Sequence, residues 1–184
     1  VDGLDRLRFV TSYPGGFDRR ILQCMRGLPN LCEFLHLPPQ SGDDAVLKRM
    51  RRKYTVAQYD DLIAAACETV PNLSIVGDFI VGFPGETDDE FEATRRLVER
   101  TRYKNIFVFR YSPRPGTLAA RDMDDDIPES VKRLRNSILL ETQHAIAQRA
   151  NETMIGRTVE VLVDGPSKAA LAARSDHTPP TDAA

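Results

Sequence analysis

The sequence predicts an α/β fold of parallel strands, arranged as a partial (β/α) barrel or an open doubly wound sheet. Short apolar runs alternate with amphipathic stretches, as in β/α units. The run from Ser74 to Val81 is apolar on both alternating faces, the pattern of a parallel strand covered by helices or closed into a barrel. With 184 residues, 41% of them hydrophobic, the chain can bury a sizeable core.

Leu7-Arg8-Phe9-Val10 reads as a first strand. Asp18 then caps a helix with Ile21, Leu22, Met25 and Leu28 at helical spacing. Phe34 to Leu37 is a second strand, stopped by Pro38-Pro39, and a short helix follows with Val46, Leu47 and Met50 on one side. Thr55 and Gln58 form a capping box before a helix that aligns Tyr59, Ile63, Ala66 and Val70. The strand 74–81 ends at Gly82-Phe83-Pro84-Gly85. Thr87 and Glu90 form a second capping box, and Phe91, Leu97 and Val98 supply the buried side of the next helix. Ile106 to Phe109 is a fourth strand, followed by the proline-bearing loop 111–117. Pro128 suits the start of a long helix reaching about Glu152, with Val131, Leu134, Ile138, Ala145 and Ile146 as its apolar side. Thr158 to Val163 reads as a strand of a separate antiparallel unit, and residues 169–184, rich in Ala, Pro and Thr, read as disordered.

The formal net charge of −2 excludes a globally basic nucleic-acid binder, so any RNA contact must be local. No apolar run approaches the roughly 20 residues of a membrane span, and the N-terminus lacks a signal pattern, which suits a cytoplasmic protein. Without an initiator Met, the chain reads as beginning within a longer protein. Cys24, Cys32 and Cys67 lie too far apart for a local metal site and are expected as core cysteines.

Ligands in such folds bind at the C-terminal ends of the strands. That rule selects Thr11-Ser12-Tyr13, Pro38 to Gly42, Gly82 to Glu86, and Tyr111-Ser112. Gln40 and Ser41 suit a ribose or a carboxylate, although Ser41 equally suits a helix cap. Asp78, an acid in an apolar strand, needs a partner or faces a site. Glu86 fits the dipole of the following helix. Lys48, Arg49, Arg51, Arg52 and Lys53 are the one dense basic cluster, suited to phosphates or to a solvated helix face. His36 and His144 have no neighbouring ligand types and read as structural, and His177 falls in the tail.

The segments RLRFVTSYP (6–14), LCEFLHLPPQSGDD (31–44), LKRMRRKYT (47–55), DFIVGFPGETDDEFEAT (78–94), YSPRPGTLAA (111–120), DDDIPESVKRLR (124–135) and GRTVEVLVDGPSK (156–168) resemble, in order, the MiaB-type methylthiotransferase family of radical S-adenosylmethionine enzymes. The resemblance covers most of residues 6–168. It departs at Tyr13, where the family more often has His, at Pro39, and at Arg110, a charge in a usually apolar strand end.

The resemblance implies the later part of a radical SAM barrel with its closing helix over residues 1–153, the opening strand of a TRAM β-barrel domain over 154–168, and a tail over 169–184. It implies S-adenosylmethionine and, in the full-length parent, two [4Fe-4S] clusters. The six cluster cysteines of the family have no counterpart in this chain, which is expected to ligate no metal and to be inactive alone. Carried onto matching positions, Gln40 and Ser41 lie near the ribose and methionine part, Asp78, Ile80 and Gly82 line the adenosine, and Phe109 and Tyr111 lie near the adenine. The implied partner is the anticodon loop of tRNA, with the basic cluster 48–53 as its RNA contact and a monomer as the enzyme's form. The implied reaction is methylthiolation of N6-isopentenyl-adenosine beside the anticodon. A relative acting on threonylcarbamoyl-adenosine, a non-catalytic tRNA- or nucleotide-binding module, and an unrelated barrel enzyme are the alternatives.

Overall fold

Three of the expected apolar runs pair side by side as parallel strands. The structure is a computed structural model that describes residues 3–10, 13–161, 163 and 165–167. After a 3-10 turn at Pro14–Gly16 come α1 (Arg20–Gly27), β1 (Phe34–His36), α2 (Asp44–Arg49), α3 (Val56–Thr69), β2 (Ser74–Val81), α4 (Asp88–Thr101), β3 (Asn105–Arg110), α5 (Leu118–Asp122) and α6 (Glu129–Glu152). The sheet runs β1-β2-β3, with Leu35 opposite Ile75, Asp78 opposite Phe107 and Ile80 opposite Phe109. The sheet is parallel and does not close, the architecture of part of a barrel.

The helices begin where their caps dictate. Thr55 and Thr87 each accept a hydrogen bond from the N3 backbone, and Gln58 and Glu90 reach back to complete both capping boxes. Asp43 caps α2 through the N–H groups of Ala45 and Val46. One face of the sheet is packed: Leu35, Leu37, Ile75, Phe79 and Val81 meet Tyr59, Ala66, Leu97 and Leu139 in one core. The polar tips of the core tyrosines are satisfied. The Tyr59 hydroxyl donates to the Leu37 carbonyl at 2.8 Å and sits 2.8 Å from that of Tyr103. Burial pushes the Tyr54 hydroxyl up to about 12 and holds those of Tyr59 and Tyr103 well above their usual range.

Several expectations are corrected. The strand at 7–10 is reduced to one bridge, Leu7 to Leu31, with Val10 largely exposed; among the described residues no second ladder partner lies beside it. β2 is not covered along both faces: on the second face Val76 is buried, but Asp78 and Ile80 are only half-buried. Cys24 and Cys67 are exposed and Cys32 is half-buried, so they are not core residues: α1 and α3 turn Leu22, Met25, Ile63 and Ala66 inward instead. The basic cluster is not one helix face, because α2 ends at Arg49 and Arg51 takes a left-handed φ of 56°.

The long helix α6 has the expected length; Ile138 and Ile146 of its expected apolar side pack against the core, but its most buried residues are others. Leu134 is 60% exposed, while Lys132, Arg135, Leu139 and Gln143 are buried. Those four follow the i, i+3, i+4 spacing of one face. Their polar heads answer backbone groups at both ends of β3: Gln143 donates to the Tyr103 carbonyl before it at 2.8 Å, and Lys132 to the Tyr111 carbonyl after it at 3.3 Å.

The chain divides into two units, Val1–Thr153 and Met154–Ala184. In the second, Arg157 N–H closes a turn on the Met154 carbonyl at 3.1 Å. The strand expected at 158–163 is absent from the described residues: 157–161 and 163 are irregular and exposed, and Leu162 lies outside them. A lone strand has no ladder to hold it. The tail 169–184, expected as disordered, lies outside the described residues.

Candidate functional site

The second face of the sheet is open, and its side chains follow from strand alternation. Phe79 and Val81 of β2 point into the core, so Asp78 and Ile80 point the other way. Their partners on β3, Phe107 and Phe109, are 49% and 53% exposed. From β1, His36 reaches Asp78 with Nε2 2.9 Å from Oδ1, and the Phe107 ring meets His36 edge-on at 6.5 Å. The acid therefore has its structural partner and also faces the open side.

At the C-terminal ends of the strands this face deepens into a cleft of about 520 Å³. Gln40, Asp78, Ile80, Phe109 and Tyr111 line it, together with Phe83, Arg52, Arg110 and Arg114. Pro38 and Pro39 have no N–H to give the ladder. Gln40 resumes it, donating to the Asp78 carbonyl at 3.0 Å and accepting from Ile80 N–H at 2.9 Å. It does so with φ at 67°, a left-handed conformation uncommon outside glycine and frequent at ligand sites.

Two residues expected in this group are turned elsewhere. Ser41 is 1% exposed; its hydroxyl lies 3.2 Å from that of Thr94 on α4 and accepts the Asp43 N–H. The adjacent Gly42 permits this approach, since a Cβ there would sit 2.6 Å from the Ala93 carbonyl oxygen. Gly82, at φ 69°, gives its N–H to Glu86 Oε2 at 2.7 Å, and a Cβ on it would collide with the Lys132 stem. Both are packing positions behind the cleft.

Glu86 is fully buried in an ion pair that the sequence reading missed. Arg135 Nη1 donates to its Oε2 at 2.7 Å and to its carbonyl at 3.0 Å, and Nη2 reaches Asp88 at 2.7 Å. Burial holds the Glu86 carboxyl above its usual range, against the opposing pull of the Gly82 N–H and the Arg135 guanidinium. Lys132 is buried against Asp125, its ammonium 5.4 Å from the centre of the Tyr111 ring, and that ring meets Phe83 at 5.0 Å. The polar side of α6 thus braces the turn after β2 and the loop after β3.

The basic cluster separates by role. Arg49 is bound bidentately by Glu90, at 3.0 and 2.7 Å, and so is not available to phosphates. Lys48, Arg51 and Lys53 are exposed. Arg52 instead lines the cleft, and its Nε is buried without a hydrogen-bond partner, as is the Tyr111 hydroxyl. Burial raises that hydroxyl's pKa. Arg110, also on the cleft, is paired with Glu129. His144 is exposed on α6. Among the described residues, no three of His, Cys, Asp and Glu are grouped to hold a metal ion, and no helix is long and apolar enough to cross a membrane.

The sequence profile of the Radical SAM superfamily matches residues 3–98. The tRNA-2-methylthio-N(6)-dimethylallyladenosine synthase of Rhodopirellula baltica is 50% identical over 170 residues, which span 92% of this chain and 36% of that protein. The synthase of the same name from Akkermansia muciniphila is 47% identical over 178 residues, 97% of this chain and 39% of that protein. The chain thus spans between a third and two-fifths of the length of these curated relatives. Among solved structures, coproporphyrinogen III oxidase from Escherichia coli, described as a radical SAM enzyme, superposes with a TM-score of 0.56 over 88% of this chain and 36% of that one, at 22% identity. That likeness concerns the fold.

Proposed function

This chain belongs to the radical SAM superfamily, and we propose that it is the cofactor-side part of a tRNA methylthiotransferase whose substrate is N6-isopentenyl-adenosine beside the anticodon. The observation that supports the reading is the convergence of Gln40, Asp78, Ile80, Phe109 and Tyr111 on one cleft at the strand ends, beside an unpartnered Arg52 Nε and Tyr111 hydroxyl.

S-adenosylmethionine fits these groups. A cleft of about 520 Å³ is in the ordinary size range for a bound small molecule. The Arg52 guanidinium suits the cofactor's carboxylate, which a planar fork of donors binds well. Gln40 and the Asp78 carboxylate suit ribose hydroxyls, and Ile80, Phe109 and Tyr111 offer an apolar and aromatic wall to the adenine. When bound, the cofactor supplies the radical chemistry, while the protein supplies binding and orientation. His36 holds one oxygen of Asp78 and leaves the other for the ligand. The iron–sulfur clusters of the family are assigned to none of Cys24, Cys32 and Cys67, which stand on α1, before β1 and on α3. The exposed Lys48, Arg51 and Lys53 remain the contacts proposed for RNA, on the last turn of α2 and the turn that follows it, in a cytoplasmic, monomeric enzyme.

The test is a deletion of the encoding gene followed by mass spectrometry of tRNA nucleosides. The 2-methylthio derivative of N6-isopentenyl-adenosine should disappear and its unmodified precursor accumulate. Loss of the methylthiolated threonylcarbamoyl nucleoside instead would move the protein to that neighbouring activity. Unchanged nucleosides would overturn the reading.

A further inference from the structure

Arg114 stands in the loop between β3 and α5 and lines the same cleft as Arg52. The two differ from Arg49 and Arg110 beside them. Arg49 is neutralised by Glu90 and Arg110 by Glu129, whereas the guanidinium groups of Arg52 and Arg114 have no carboxylate partner among the described residues. Acids close in sequence do not supply one. Asp122 is taken by Arg121, Asp125 by Lys132, and Asp126 accepts the Gly85 N–H at 2.8 Å. The cofactor proposed above carries a single carboxylate, and Arg52, half-buried with an unpartnered Nε, is the better-formed site for it. The second positive charge calls for a second anion.

We infer that Arg114 binds a phosphodiester group of the RNA substrate next to the base presented to the cleft. This rests on the function proposed above and adds the residue that positions the substrate strand. The loop is built as a stiff platform. Pro113 and Pro115 fix φ, and the Arg114 carbonyl accepts both the Thr117 N–H at 3.1 Å and the Thr117 hydroxyl at 2.8 Å. The Thr117 hydroxyl oxygen also caps α5 by accepting the Ala120 N–H at 3.3 Å. The side chain itself is exposed, open to a polymer that cannot enter a closed pocket. A neighbouring groove of about 340 Å³ shares Arg52, Ile80, Phe83 and Thr117 with the cleft and continues to Arg51. Arg114, Arg52 and Arg51 therefore line one continuous path, which also passes Asp78, held by His36, and Asp122, held by Arg121.

The experiment measures binding of an anticodon stem-loop RNA bearing N6-isopentenyl-adenosine to the 184-residue chain by fluorescence anisotropy across a salt series. S-adenosylmethionine binding by equilibrium dialysis is the parallel arm. Arg114→Gln should weaken RNA binding severalfold at low salt and reduce the slope of log affinity against log salt by about 0.7 to 0.9. Arg114→Lys, which keeps the charge, should restore most of the slope. Cofactor affinity should be unchanged in both variants and fall in Arg52→Gln. The side chain has no partner to lose, so the melting temperature should not move. RNA affinity and slope equal to the parent's in Arg114→Gln, or no RNA binding by the parent chain, would overturn the inference and leave the cofactor arm standing. A loss of cofactor affinity in Arg114→Gln matching that in Arg52→Gln would reassign the anion to the cofactor's carboxylate. Absence of cofactor binding by the parent chain counts against the proposed function itself.

Discussion

Arg135→Met should be the most damaging single change outside the apolar core. Of the three hydrogen bonds it removes, the one to the exposed Asp88 contributes little. The two to Glu86 matter, because that carboxylate is fully buried and would keep only the Gly82 N–H. Removing one partner of a buried pair costs about 3 to 5 kcal/mol, a large part of the about 5 to 15 kcal/mol that an ordinary domain has. Adding Glu86→Gln, which removes the stranded charge and keeps an acceptor for Gly82, should recover about half of that loss. The pH dependence gives an internal check. The folded state already holds the Glu86 proton more tightly than the unfolded chain does. This group's contribution is therefore fullest below the ordinary carboxylate range and is lost as pH rises through the raised value. Without Arg135 that value rises further, and each tenfold gain in proton affinity amounts to about 1.4 kcal/mol. Urea unfolding followed by circular dichroism should show a deficit larger at about pH 7 than at about pH 5. A deficit equal at both, or a double variant no better than the single one, would refute this reasoning.

Three further outcomes can be measured. Gly82→Ala forces a left-handed φ of 69° on alanine and a collision with Lys132, so thermal melting should show a loss of about 1 to 3 kcal/mol or more. Thr87→Ala removes the cap and the capping box of α4 and should cost about 0.5 to 2 kcal/mol in urea unfolding. His36→Phe releases Asp78 Oδ1 and should weaken S-adenosylmethionine binding about 2- to 10-fold, the worth of one hydrogen bond. His36→Gln, still able to donate, should recover most of that affinity, and no difference between the two variants would count against the positioning role.

What the sequence made legible was mainly local. Both capping boxes and the buried faces of α3 and α4 follow from neighbours three and four residues apart, and they appear where expected. Pairing across the chain is harder to read. Leu7 to Val10 has strand composition, yet among the described residues only Leu7 forms a strand bridge, to Leu31. On α6 the apolar pattern of Val131, Leu134, Ile138, Ala145 and Ile146 finds Ile138 and Ile146, which pack against the core, but not the most buried residues, Lys132, Arg135, Leu139 and Gln143. Their partners are Asp125, seven positions from Lys132, and three groups farther away in sequence: Glu86 and the carbonyls of Tyr103 and Tyr111. Hydrophobicity cannot register a buried charge whose partner lies 49 positions away. The same holds at the cleft. Strand-end position and the family resemblance pick out Gln40, Asp78, Ile80, Phe109 and Tyr111. The left-handed turn at Gln40 sends Ser41 under α4, and Arg52 is hidden in a run of charges that read as one patch. The available signal for Lys132 and Arg135 was their spacing with Leu139 and Gln143 on one helical face.

The claim that the cleft on the open sheet face receives S-adenosylmethionine is tested most directly by titrating the cofactor into the isotope-labelled chain and following amide shifts by NMR. Saturable shifts are expected at Gln40, Asp78, Ile80, Phe109 and Tyr111, with the Arg52 side-chain N–H moving alongside them and the response lost in Arg52→Gln. Saturating cofactor that leaves these residues unmoved, or shifts gathered instead at the groove of Arg102, Thr142 and Arg149 between α4 and α6, would contradict it.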